Sequence, residues 1–128
     1  MTQKRTLVPR TRADGKWTEA RYWGFIRSAL RDANRRFPPR YAAKAAAKKT
    51  VTGHRHRFEF QCAECTEWFK DKEVQVDHII PAGTLRKYDD LPHFVENMFC
   101  EADGLQVLCK PCHQLKTNAE REERKSND

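Results

Sequence analysis

Leu105-Gln106-Val107-Leu108-Cys109-Lys110-Pro111-Cys112-His113 is a short, mostly apolar run that ends in two cysteines three positions apart and a histidine. Such a run predicts a strand that delivers the chain into a metal-binding turn, and Lys110 to about Glu123 then predicts a helix. The counterpart upstream is Cys62-Ala63-Glu64-Cys65. Each Cys-x-x-Cys turn can set two sulfurs on one ion, and together they complete a tetrahedral four-thiolate site for structural Zn2+. A redox-active pair is the alternative for either turn taken alone, although two such turns in one small chain favour the metal. The fifth cysteine, Cys100, follows Phe99 and is assigned to the core; an odd count arranged in two tight pairs is poor arithmetic for a disulfide framework. His54 and His56 are potential substitutes as ligands, but four thiolates leave them no vacancy.

The stretch between the two pairs is far longer than the ~15–20 residues of a compact zinc ribbon, so something functional is inserted. Within it, Glu73-Val74-Gln75-Val76-Asp77-His78 alternates like a half-buried strand, and Pro81 and Gly83 end it. Ligation of Cys112 would press the first turn of the last helix, with His113, against the strand carrying Asp77 and His78. Those three side chains are thereby expected to converge. A carboxylate oxygen and a neutral imidazole suit a divalent ion that keeps positions open for water and phosphate. Cleaving a phosphodiester needs a proton acceptor for water and a cation to stabilise charge on the phosphate and leaving oxygen, and an imidazole beside a cation supplies both. His93 is expected to be a surface or core residue and not a third ligand.

Further out, the charge is divided. The chain has 128 residues and a formal charge of +7, made of +11 over residues 1–50 and −4 over residues 51–128. A basic first half can neutralise phosphates, and an acidic second half can hold a cation. Residues 1–16 lack apolar periodicity and are expected to form a mobile basic arm. From Trp17, Tyr22, Ile26, Ala29, Leu30 and Ala33 recur at helical spacing, Thr18-Glu19 is a cap with an acidic first turn, and Pro38-Pro39 closes the element. An alanine-rich helix is expected from Tyr41 to about Lys49, a strand over residues 55–60, and a short helix near Leu91 to Phe99. The domain plan is thus an arm (1–16), a helical basic DNA-contacting extension (17–50) and a catalytic domain (51–128). With charged residues at 34% and a mean hydropathy of −0.92, apolar surface is scarce. No run approaches the ~20 apolar residues of a membrane span, so a soluble protein of the cytoplasm is expected.

Val76-Asp77-His78-Ile79-Ile80-Pro81, followed by Leu105-Gln106-Val107-Leu108-Cys109-Lys110-Pro111-Cys112-His113 and Lys116-Thr117, resembles the HNH endonuclease family, particularly its small phage-encoded members. The resemblance covers about residues 55–118. It implies an α+β fold with a zinc-stapled ββα-metal module, here carrying an N-terminal basic helical extension. It further implies that His78 is the general base, that Asp77 and His113 bind the catalytic ion (Mg2+, Mn2+ or Ni2+), and that Cys62, Cys65, Cys109 and Cys112 bind zinc. The implied activity is hydrolysis of double-stranded DNA to a 5′-phosphate and a 3′-hydroxyl, in phage genome processing or packaging beside the terminase, in the host cytoplasm. The family's middle asparagine normally precedes Leu-Gln, where this chain has Asp103-Gly104; Gly104, Asp103 or Asn97 is left to hold the loop around His78. Arg27, Arg31, Arg35, Arg36, Arg40 and Lys44, with Lys116 on the last helix, are the expected phosphate contacts. The alternatives are a non-catalytic zinc-dependent DNA-binding protein and an adaptor that docks through the acidic half.

Overall fold

A computed structural model describes residues 7–126. The elements in order are α1 (Glu19–Asn34), α2 (Pro38–Ala46), β1 (Lys48–Thr50), β2 (Phe58–Gln61), β3 (Trp68–Phe69), β4 (Val74–His78), α3 (Leu91–Met98), β5 (Leu105–Cys109) and α4 (Lys110–Ser126), with short 3-10 turns between some of them. The fold is α+β, as the sequence predicts. Residues 1–6 of the expected arm, and the Asn127-Asp128 end, lie outside the described residues.

α1 starts where its sequence says it should. The Thr18 side chain accepts from the Arg21 N–H at 3.2 Å, and Glu19 places a negative charge at the positive end of the helix. Ahead of it, Arg12 and Trp17 exchange backbone hydrogen bonds across a turn in which Ala13, Asp14 and Gly15 take positive φ. The Arg12 guanidinium pairs with Glu19 at 2.8 Å and lies 4.2 Å from the Tyr22 ring centroid. Trp23, Ile26, Leu30 and Asn34 follow one another at spacings of three and four, a single helical stripe. Trp23 sits in a core with Ala82, Leu85, Phe94 and Met98, against which Ile26, Leu30 and Phe99 also pack. The N-terminal helix therefore shares its core with the long connection between β4 and β5.

The second helix differs from expectation at both ends. It begins at Pro38, because Pro38 and Pro39 occupy its first turn, where a missing N–H costs nothing. It ends at Ala46, because Lys48–Thr50 leaves the helix to pair antiparallel with β2, in the register Lys48↔Phe60 and Thr50↔Phe58. The lysine ammonium groups lie over aromatic rings, Lys48 Nζ 4.4 Å from the Phe58 centroid and Lys49 Nζ 4.0 Å from that of Trp68. This pairing crosses residue 50, where the sequence suggests a domain boundary. β2 also pairs with β3.

β4 and β5 form a separate antiparallel ladder, from Val74↔Cys109 through Asp77↔Gln106 to His78↔Leu105. α4 begins at the residue after Cys109. This β4–β5–α4 unit is anchored by Phe60, Val74 and Val107 in one small core, and by Cys62, Leu108 and Cys109 in another. No helix among the described residues is long and apolar enough to cross a membrane.

Candidate active site

The four paired cysteines meet at the end of the ladder. β5 carries Cys109 inward, the first turn of α4 carries Cys112, and the turn after β2 carries Cys62 and Cys65. That last turn is tied down by Cys62 N–H to Glu67 O at 2.9 Å and Ala63 N–H to Val107 O at 2.8 Å. All four sulfurs lie within 4.8 Å of one another, and Cys65 Sγ and Cys109 Sγ are 3.9 Å apart. Sulfurs about 2.3 Å from a tetrahedral ion sit ~3.8 Å from each other, so the donor set fits a metal ion such as zinc. Their acidities agree with that. Burial pushes the Cys62 thiol up, but backbone N–H groups of Cys109, Cys65 and Glu64 outweigh it and bring it down to about 6. Cys112 is driven up to about 12, first by its hydrogen bond with Cys109 and then by burial. One thiolate thus forms readily and opposes further ionisation nearby; a dication removes that opposition.

Asp77 and His78 end β4, and His113 lies in the first turn of α4, one residue past the last cysteine. All three line one cleft of about 610 Å³, together with Arg31, Asn34 and Lys116. His113 Nε2 lies 3.5 Å from Asp77 Oδ1. Donors about 2.1 Å from a shared ion can be that far apart, so this pair fits a divalent cation. The other carboxylate oxygen, Oδ2, accepts from Gln106 Nε2 at 3.2 Å and pairs with the Lys116 ammonium at 3.1 Å. Lys116 also donates to the His78 carbonyl at 2.9 Å and bonds Glu120 one turn along α4. Burial lowers the Lys116 pKa, but its bonds to Glu120 and Asp77 together outweigh burial, and the ammonium is held above its ordinary value.

The His78 ring is fixed by Met98. Its Nε2 lies 2.8 Å from the Met98 carbonyl oxygen, which can only accept; Nε2 therefore carries the hydrogen, and the neutral ring keeps its lone pair on Nδ1. Met98 is the last residue of α3, where a helix leaves its carbonyls without helical partners.

The expected phosphate contacts divide. Arg31, Arg35, Arg40 and Lys116 line the cleft. Burial, then repulsion from Arg27 and Arg124, lowers the Arg31 pKa, and burial, then Arg35, lowers that of Arg40. Arg40 donates to Asn34 Oδ1 at 3.1 Å and to the Val76 carbonyl at 3.4 Å. Outside the cleft lining, Arg27 reaches the Leu85 carbonyl at 3.5 Å, Arg36 pairs with Asp32 at 3.9 Å, and Lys44 bonds Asp71. Sequence reasoning overlooks Asn34, Glu120 and Arg124 in this cleft; Asn34 continues the apolar stripe of α1 four residues past Leu30, a detectable signal. Of the three candidates for holding the loop, Asn97 bonds His93 at 2.9 Å, while the Gly104 carbonyl accepts from the Ile79 N–H at 3.0 Å, one residue beyond His78.

The arrangement is that of an α+β protein with a four-cysteine cluster that could hold a metal ion, beside a cleft lined by Asp77, His78 and His113. A stretch of 64 residues, half of the chain, is 38% identical to a probable HNH endonuclease of Lactococcus phage SK1 and covers 61% of that protein. The chain thus spans less than two thirds of the length of the curated relative it matches. No family profile matches the chain, and no solved structure does.

Proposed function

We propose that this protein is a metal-dependent DNA endonuclease of the HNH type, hydrolysing phosphodiester bonds with water activated by His78. The observation that carries the reading is the His78 Nε2 bond to the Met98 carbonyl, which leaves Nδ1 as a proton acceptor in the cleft that Asp77 and His113 also line. The similarity to the phage protein supports the same reading.

His78 Nδ1 takes the proton of the attacking water. Asp77 Oδ1 and His113 Nε2 would hold the divalent ion, whose charge offsets that developing on the phosphate and on the leaving oxygen. Gln106 and Lys116 hold the other Asp77 oxygen, so the carboxylate is presented in one orientation. Arg31, Arg35 and Arg124 line the same cleft and attract the phosphate backbone; the like charges crowded there are relieved when an anion enters. Cys62, Cys65, Cys109 and Cys112 bind zinc and hold the first turn of α4 against the ladder. The biological setting that goes with this reading is the processing of a phage genome.

The test is cleavage of supercoiled plasmid by the full chain with Mg2+, Mn2+ or Ni2+, with His78→Ala as control. Cutting is expected with at least one ion, and loss of the base should reduce it by ~10²–10⁴-fold. Intact plasmid with every ion, or equal cutting by His78→Ala, overturns the assignment. The non-catalytic zinc-dependent binding protein has one observation in its favour: the Lys116 ammonium already neutralises Asp77. Calorimetry separates the two, because the nuclease takes up a second, weaker divalent ion that Asp77→Ala removes.

A further inference from the structure

We infer that Asn34, on the N-terminal helix, is the positioning residue that holds the His78 imidazole in its working tautomer and orientation. The inference rests on the reading of His78 as the base. Asn34 is the one buried polar side chain among the described residues, at 2% exposure. Its Nδ2 donates to the Met98 carbonyl oxygen at 2.8 Å, the same oxygen that accepts from His78 Nε2 at 2.8 Å. Both acceptor positions of that oxygen are therefore used, one by the amide and one by the imidazole.

The orientation of the amide is itself determined. Arg40 can only donate, and it meets Asn34 Oδ1 at 3.1 Å, so the Nδ2 end must face Met98. Arg40 is anchored in turn on the Val76 carbonyl, one residue before Asp77. The chain of contacts runs from β4 through Arg40, Asn34 and the Met98 oxygen back to His78, and it joins α1, α2, α3 and β4 in one ring of hydrogen bonds. A helix-terminal carbonyl with a single partner can tilt towards water; with a buried amide and a half-buried imidazole as partners it has one direction. A carbonyl so held keeps Nε2 protonated and Nδ1 available.

Asn34 also supplies what the residues before Leu105 do not. Asp103-Gly104 brings a backbone carbonyl to Ile79, and the Asn97 amide is engaged with His93. The amide that reaches the His78 support arrives instead from a helix more than forty residues upstream in sequence.

The experiment uses the full, zinc-loaded chain and two variants, Asn34→Ala and Asn34→Asp. The aspartate has the same shape and keeps Arg40 as its partner, so it retains the fold while losing the donated bond. Long-range proton–nitrogen correlation spectra report the tautomer of His78 independently of any catalysis. Wild type is expected to show His78 with hydrogen on Nε2 only, and both variants a mixture of the two tautomers. Plasmid cleavage with Mn2+ is expected to lose ~10–100-fold in kcat while KM for DNA stays within about twofold. A wild-type ring protonated on Nδ1, or a ring unchanged in both variants, overturns the inference. If no form cuts plasmid yet the variants still mix the tautomers, the positioning role stands and the nuclease reading falls.

Discussion

Trp23→Ala tests whether the N-terminal helix is part of the body that carries the cleft. Trp23 is 2% exposed and meets the Tyr22 and Tyr88 rings edge-on at 5.1 and 4.8 Å; its indole N–H donates to Glu19 at 3.0 Å. It packs with Leu85, Phe94 and Met98, which belong to the connection between β4 and β5. Truncating a buried tryptophan costs ~3–5 kcal/mol, from lost burial and from the cavity left behind. With a urea dependence of ~2 kcal/mol per molar, a loss of ~4 kcal/mol moves the unfolding midpoint down by ~2 M. The assay is urea unfolding of zinc-loaded protein followed by far-ultraviolet circular dichroism. The whole transition should move, since Met98 belongs to both this core and the support of His78. A midpoint shift under ~0.5 M, or a separate early transition with the rest unmoved, would refute the shared core.

Three further outcomes follow from the geometry. Cys109→Ser is expected to lower bound zinc, measured by a colorimetric chelator, from one per chain to well below one, and to destabilise the chain by several kcal/mol, since metal binding and folding are linked in small domains; full zinc retention contradicts the four-sulfur site. At Gly104 an added Cβ would stand 2.8 Å from Cys100 Sγ, so Gly104→Ala should lose ~1–3 kcal/mol of stability, and combining it with Cys100→Ala should recover part of that loss; strictly additive losses count against the contact. The Glu19 carboxyl is held below its ordinary value of 4.5, first by its hydrogen bond with Arg12. Its depressed pKa means that the stability it adds is fully present above that ordinary value and fades as pH falls through the lower, folded one. Wild type should therefore lose stability relative to Glu19→Gln below pH 4.5, and identical acid profiles would contradict the pairing.

Much of the centre is legible in the sequence because its determinants are local. Two Cys-x-x-Cys turns specify their own geometry, and alternation over residues 73–78 fixes a strand whose end carries Asp77 and His78. Thr18 announces its helix by a side-chain oxygen within reach of Arg21. The rest depends on partners distant in the chain. Lys48 and Lys49 read as helix because three alanines precede them, yet Lys48–Thr50 becomes a strand edge once β2 offers unpaired backbone groups and aromatic rings. The two residues of β3 are too few for periodicity to register. Asn34 falls on the apolar stripe of α1, which marks it as inward-facing, but only the return of α3 brings a carbonyl to it. The backbone oxygen of Met98 has no signature in a sequence at all, since every residue has one.

The ladder between β4 and β5 has five rungs, and its first, Val74 with Cys109, lies at the cysteine cluster. Neighbouring side chains on a strand point to opposite faces, so a slip of one rung would invert every residue from Val74 to His78. Pinning one terminus of so brief a ribbon sets the phase of the whole, and the Asp77–Gln106 partnership three residues along is inherited from it. A sulfur-bound ion at this corner would therefore act as an alignment key, deciding by its presence which way the acid and the imidazole face.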